Sequence, residues 1–445
     1  MQSQIDYYRQ NHLKSLELWK DAQKRFPGGV SHNIRDFNMS LFDLSPPFIK
    51  EAQDVTLIDV DGNELLDYWI THGSAILGHA PEPVMNAIAE QLQYGNHYGM
   101  VNEQALALAE KLIEATPSIE KLRFCTTGTE ATMYASRLAR AFTGKKKVLK
   151  VRGGWHGGND TLFFYVKNML NGRESNGLHS QKEAYVETFD YNDTEGFQEL
   201  LRNEKDVAAV VMEPVLGAGG AIAPREGFLE TIREETEKKD ILLIYDEIIT
   251  GFRLGYHSGQ GIFGIKPDIT TLGKIVGGGA PIGVIGGRKD ILNQADLTKE
   301  EGSVWIGGGT FSGNPVSMVA GLATIRTLEK GGNELYRKLN EKGTYLRKKI
   351  TALINDYNAP VQVCGIGSMG SVHWLKEKKR KIRLSSELKQ LIDKERVANF
   401  QLLMLNNNIL VRGGLGYLSV KHTQEDIDRT IKVMEKAISF LVKKQ

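Results

Sequence analysis

Between about residues 75 and 330 the chain repeats one pattern, a short apolar run followed by a segment of helical periodicity and then another apolar run. The runs include Leu122-Arg123-Phe124-Cys125, Val148-Leu149-Lys150-Val151, Val207 to Met212, Ile241 to Tyr245 and Ile282 to Ile285. Near-continuous apolar strands are buried on both faces, and strands that alternate with helices are joined by crossovers. The pattern therefore calls for an α/β domain, a mostly parallel sheet flanked by helices. It also says where chemistry belongs, because ligands bind such sheets outside the carboxyl ends of the strands.

The flanking regions read differently. Leu13, Leu16, Trp19, Ala22 and Phe26 recur at spacings of three and four, which predicts an amphipathic helix stopped by Pro27-Gly28-Gly29. Asp61-Gly62 separates the alternating runs Thr56 to Val60 and Glu64 to Tyr68, a hairpin signal. From residue 331 onward the reading is a long charged helix (Glu334 to Leu353), a strand-like Gly365 to Val372, and a last helix introduced by Thr423-Gln424-Glu425-Asp426. The basic run Lys376 to Lys381 reads as a solvated surface turn. The expected organisation is a small α+β domain formed by residues 1–75 and 331–445, with a large domain at 76–330 between its two parts.

Composition narrows the partners. The 445 residues carry 56 Lys and Arg against 54 Asp and Glu, a net charge of +2, which gives no electrostatic reason to expect nucleic acid or an anionic membrane. The two cysteines, Cys125 and Cys364, have no metal-ligand or disulfide spacing, no apolar stretch is long enough to span a bilayer, and residues 1–26 lack a signal-peptide core. A cytoplasmic protein acting on small molecules is expected. Gly is abundant, 47 residues, and clustered at Gly153-Gly154, Gly277-Gly278-Gly279 and Gly307-Gly308-Gly309, as where backbone approaches something closely.

The strongest local feature is Ile241-Leu242-Leu243-Ile244-Tyr245-Asp246-Glu247, an apolar strand that ends abruptly in two acids at the ligand edge. Thr270-Thr271-Leu272-Gly273-Lys274 puts a lone lysine at another strand end. Taken alone, Asp246 and Lys274 also describe a solvated ion pair. Together with Thr127-Gly128-Thr129-Glu130, placed to hold a phosphate at a helix N-terminus, and Trp155-His156-Gly157-Gly158, which sets an aromatic at the same edge, they supply the four partners that pyridoxal 5'-phosphate (PLP) requires. Those are a Schiff-base lysine, an acid for the pyridine nitrogen, a phosphate cup and a stacking ring.

In order and spacing these motifs resemble the class III aminotransferases of PLP fold type I, most closely their glutamate-1-semialdehyde aminomutase-like branch. The resemblance runs from Pro27-Gly28-Gly29-Val30 with Arg35 through Ile76-Leu77-Gly78-His79, Thr127 to Ala131, Trp155-His156-Gly157, Met212-Glu213-Pro214, Asp246 to Arg253 and Lys274 to Gly309-Thr310-Phe311-Ser312-Gly313-Asn314-Pro315. It implies a mostly parallel seven-stranded sheet in the large domain. It further implies that Lys274 carries PLP and moves protons, Asp246 meets the pyridine nitrogen, and Ile248 and Trp155 cover the two ring faces. Thr127, Gly128 and Thr129 would hold the phosphate, joined by Thr310 of a second subunit in a homodimer with shared active sites; His156 and Glu213 complete the cofactor-binding set.

For substrate, Arg35 matches the family arginine that takes a carboxylate, a task suited to a planar guanidinium. Several departures from the aminomutase pattern bear on specificity. His72 replaces an aromatic, Gly158 a second histidine, Asn168 to Asn176 a lid rich in small residues, and Arg412-Gly413-Gly414-Leu415-Gly416-Tyr417 a Phe-Glu-Ala segment. An arginine such as Arg412 in that region resembles the β-amino-acid transaminases. The main expectation is transfer of an amino group between a carboxylate-bearing amine, including β-amino acids, and a 2-oxo acid. Glutamate-1-semialdehyde 2,1-aminomutase, an amino-acid epimerase or racemase, and a catalytically silent PLP-fold binding protein stand as alternatives.

Overall fold

A computed structural model describes residues 1–166, 174–178, 185–298, 303–378, 384–413 and 416–443. Residues 168–173 of the expected lid, 379–381 of the basic run, and Gly414 and Leu415 lie outside them. The chain divides into two compact units, one of Met1–Pro81, Leu339–Ile382 and Leu391–Gln445, the other of Glu82–Lys338 and Arg383–Gln390.

The second unit is built on a seven-stranded sheet in the order Lys121–Cys125, Gly283–Gly287, Ile269–Gly273, Leu242–Asp246, Val207–Met212, Lys147–Val151, Val186–Phe189. Gly283–Gly287 runs antiparallel to both of its neighbours, while the other pairings are parallel. The central strands are buried along their whole length, as their apolar runs require. Their period of two sorts side chains between two cores. Val148, Ala209, Val211, Leu242 and Ile244 pack on one face, Leu149, Val151, Val210, Leu243 and Tyr245 on the other. On the first face lies the helix Gly128–Thr143, whose Ala131, Tyr134, Ala135, Leu138 and Ala139 form its apolar stripe.

The strand Val186–Phe189 is not anticipated by the sequence, since Glu187 and Thr188 break the apolar run. It is the sheet edge, paired on one side only, where polar side chains carry little penalty.

In the first unit the predicted helix is present as Leu13–Arg25, preceded by an unpredicted helix Gln2–Asn11. The hairpin is present as Thr56–Asp59 and Glu64–Asp67, turning at Gly62 with φ of 90°. The final helix, Gln424–Val442, opens with a Thr423/Asp426 capping box. The strand-like Gly365 to Val372 is corrected to two antiparallel strands, Val361–Ile366 and Met369–Trp374, because Gly367 turns the backbone at φ of 53°. The long helix expected from Glu334 runs over Pro315–Asp356, interrupted at Gly332.

Gly283 shows how closely the large unit is packed near its ligand edge. A Cβ there would meet the Thr127 carbonyl and Cys125 Sγ. Gly283→Ala is expected to lower unfolding free energy by about 1–3 kcal/mol, read as a fall in the urea midpoint with an unchanged m-value.

Candidate active site

Asp246 ends its strand 3% exposed, and a buried carboxylate needs donors. It has three. Oδ2 pairs with His156 Nδ1 at 2.7 Å, and Oδ1 accepts the Thr271 hydroxyl at 3.2 Å and the Ile248 N–H at 3.1 Å. Thr271 stands opposite Asp246 in the neighbouring strand. An ionised carboxylate only accepts, so His156 Nδ1 carries the proton. Burial holds the imidazole pKa down and leaves Nε2 without a partner among the described residues. Gly154 makes room for that ring, since a Cβ there would lie 2.8 Å from His156 Nε2.

The second acid of the pair has a different fate. Glu247 is buried and bonded to the Thr250 hydroxyl, the Gly259 and Gln260 N–H groups and the Gln260 side chain. It is structural, tying the loop after its strand to the following helix.

Lys274 lies just beyond the strand Ile269–Gly273, half-buried, in a left-handed conformation with φ of 47°. Such a φ is uncommon outside glycine and marks a constrained position. Desolvation lowers its pKa against the opposing pull of Asp246 and Glu213, and no hydrogen-bond acceptor for its ammonium exists among the described residues. Glu213 is 2% exposed; Oε2 accepts the Gly217 N–H at 3.0 Å, while Oε1 has no partner among the described residues. Burial, reinforced by the charge of Asp246, raises its pKa to about 8.

At the N-terminus of Gly128–Thr143, Thr127 and Glu130 form a capping box that engages the Glu130, Thr126 and Thr127 N–H groups. Among the described residues the Gly128 and Thr129 N–H groups have no protein acceptor, which suits an anion. This terminus is held against the sheet edge by close contacts. A Cβ on Gly128 would collide with Ile248 Cδ1, and one on Gly157 with Thr129. The Thr132 hydroxyl donates to the His156 carbonyl at 2.6 Å. Trp155 stays 37% exposed, its ring edge-on to Phe163. Thr310 follows Gly308 and Gly309, which pack on Thr126, and is itself exposed.

Thus Asp246, His156, Ile248, Gly128, Thr127, Thr129, Glu213 and Lys274 belong to one neighbourhood of the large unit. The donor set fits PLP: an acid aimed by three donors, an unpaired amine, free N–H groups at a helix start, and orphaned polar atoms on His156 and Glu213. Two contributors carried no role in the sequence reading. Thr271 depends on strand register, which sequence does not display; Lys150, whose Nζ donates to the Gly154 carbonyl at 3.0 Å, could have been noticed as a charge inside the apolar run Val148 to Val151.

Arg35, His72 and Arg412 lie in the other unit. Arg412 sits 5.3 Å from the Trp69 ring and donates to the Ile34 carbonyl at 3.3 Å, while His72 packs on Trp69 at 4.4 Å and on His32 at 5.5 Å between ring centres. Arg35, next in sequence to Ile34, is exposed. Ile70, Thr71 and His72 all have positive φ, a strained turn pinned by Asp67, whose Oδ1 accepts the Trp69 and Ile70 N–H groups. His79 holds the other Asp67 oxygen at 2.8 Å.

A family model described as Aminotransferase class-III matches residues 43–410. A glutamate-1-semialdehyde 2,1-aminomutase of Methanothrix thermoacetophila is 38% identical, covering 98% of this chain and 99% of its own. One from Methanosarcina acetivorans is 40% identical, covering 94% and 97%. Among solved structures, a β-phenylalanine aminotransferase from Variovorax paradoxus superposes with a TM-score of 0.87 at 28% identity, over 99% of this chain and 97% of that one. A glutamate-1-semialdehyde aminomutase from Pseudomonas aeruginosa superposes at 0.89 with 24% identity, over 99% and 97%, and so shares the fold.

The titration of Glu213 gives a test in the apo-protein. Its folded pKa, about 8, exceeds its ordinary value of 4.5, so its stabilising contribution is complete below pH 4.5 and is lost as pH rises through 8. Glu213→Gln is expected to flatten this part of the decline in Tm between pH 5 and 8, measured by thermal scans across that range.

Proposed function

Because the chain belongs to the class-III aminotransferase family and uses pyridoxal 5'-phosphate, we propose that it moves the amino group of a small carboxylate-bearing substrate, and that it does so within one molecule, as a glutamate-1-semialdehyde 2,1-aminomutase. The observation behind the intramolecular reading is identity of 38–40% to proteins of that name along nearly their whole length.

When bound, PLP supplies an electron sink for charge developing at the carbon next to the substrate nitrogen. The residues around it have separate tasks. Asp246, aimed by His156, Thr271 and its own backbone, is placed to keep the pyridine nitrogen protonated. Gly128 and Thr129 N–H groups with the Thr127 hydroxyl hold the phosphate, and Ile248 and Trp155 bound the ring. Lys274 would hold the cofactor and, as a free amine beside it, would carry the proton taken from the carbon next to the substrate nitrogen. Burial suits it to that task, since a lowered pKa leaves more of the amine unprotonated near neutrality. Arg35 receives the substrate carboxylate. Thr310 would reach the phosphate of a second subunit; the exposed Tyr94, Met100, Val101 and Trp305 side chains support an association that buries this part of the large unit.

A second reading, transamination between a β-amino acid and a 2-oxo acid, is favoured by Arg412. Its guanidinium beside Trp69 and Ile34 offers a second carboxylate partner where the aminomutase pattern has an acid.

One experiment separates them. Holoenzyme given glutamate 1-semialdehyde alone is expected to form 5-amino-4-oxopentanoate with no external acceptor. If it instead requires 2-oxoglutarate or pyruvate and turns over β-amino acids, transamination is the activity. Lys274→Ala should abolish both, together with the absorbance band of the lysine-bound cofactor. Arg35→Ala is expected to raise KM for carboxylated amines about tenfold or more while leaving simple amines little changed, measured by half-reaction spectroscopy; equal effects on both would remove Arg35 from the carboxylate site.

A further inference from the structure

Lys150 lies within the strand Lys147–Val151 and is 0% exposed, on the same face as Val148. Its Nζ donates to three backbone carbonyls, Gly154 at 3.0 Å, Leu162 at 2.8 Å and Phe164 at 2.7 Å. A neutral amine has two N–H bonds, so three acceptors at these distances call for the ammonium. Burying that charge costs several kcal/mol, and an apolar residue of similar length would suit a strand interior better.

What the charge accomplishes is visible in where its acceptors lie. Gly154 immediately precedes Trp155 and His156, whereas Leu162 and Phe164 follow them, so the ammonium closes the loop that carries both residues. The same loop is fastened at its middle by the Thr132 hydroxyl on the His156 carbonyl and by His156 Nδ1 on Asp246. The charged neighbours of Lys150 are Glu174 from the chain beyond the loop, Glu213 from the end of its strand, and Asp246, all attractive, with His156 on the loop as the titratable group it opposes. Burial lowers Lys150 to about 7 against those attractions.

We propose that Lys150 is a positioning residue for the cofactor site: its buried ammonium closes the Trp155-His156 loop and, while protonated, supplies a positive charge that acts on the cofactor through His156 and Asp246. This rests on PLP being held at Asp246 and Lys274. The Lys150 charge opposes protonation of His156, the partner of Asp246, so removing it eases protonation across the site that Asp246 serves.

Three variants separate charge from shape. Lys150→Met removes charge and donors at similar length, Lys150→Gln keeps donors without charge, and Lys150→Arg keeps charge. Each apo-protein is titrated with PLP, and the bound-cofactor absorbance band is followed against pH. Lys150→Met is expected to weaken PLP binding about tenfold and to move the pH midpoint of the band upward by about half a unit. Lys150→Gln should show the same upward shift, and Lys150→Arg should keep the wild-type midpoint. Unchanged affinity and midpoint in Lys150→Met, or equal midpoint shifts in Met, Gln and Arg variants, would overturn the proposal. Should Lys150→Met fail to fold, Gln against Arg makes the same decision. If no variant folds, wild type labelled with ¹⁵N-lysine decides: a slowly exchanging ammonium resonance that shifts on adding PLP supports the proposal, and no such resonance refutes it. Absence of any PLP band in wild type would instead refute the placement of the cofactor, a separate failure.

Discussion

The buried carboxylate of Asp246 is the interaction on which the large unit's ligand edge depends. It is an anion at the end of an apolar strand, tolerated because a histidine, a threonine and a backbone N–H converge on it from three places in the chain. Hydrogen bonds to a charged group contribute about 1.5–3 kcal/mol each, and losing one strands the remaining charge in a poor solvent. Such a site is therefore all or nothing. The loop with His156, the register of the strand with Thr271 and the turn at Ile248 must form together for any of them to be worth forming.

Close approach of backbone makes that convergence possible. Gly128, Gly154, Gly157 and Gly283 each stand where a methyl group would strike Ile248, His156, Thr129 or the Thr127 carbonyl. Their role is to let a helix N-terminus, a loop and two strand ends occupy one small volume, so that N–H groups and carboxylates point into it. Around this volume the ionisable groups shift in opposite directions: burial lowers Lys150 to about 7 and raises Glu213 to about 8.

The other unit holds its candidate substrate groups by strain. A left-handed turn through Ile70, Thr71 and His72 costs more than a glycine-rich turn would, and Asp67, itself bound by His79, pins it through two backbone N–H groups. The turn presents His72 against Trp69, on whose ring Arg412 lies. Two of the positions that differ from the aminomutase pattern, His72 and Arg412, thus meet on one indole ring.

Much of this was legible in residue order. The alternation of apolar runs with helical segments specified a parallel sheet, and Asp246, Lys274 and the Thr127 to Glu130 cup announced a cofactor edge, because strand ends and helix starts are local features that one segment determines by itself. What local patterning did not carry were the relations between segments. It could not show that Glu247 is consumed by the Gln260 loop, that Thr271 stands beside Asp246, that Val186–Phe189 is an edge strand, or that Lys150 reaches three carbonyls of the loop bearing His156. Each depends on register or on packing across distant parts of the chain, where burial and hydrogen-bond satisfaction, summed over the folded molecule, choose among arrangements that the local sequence leaves equally open.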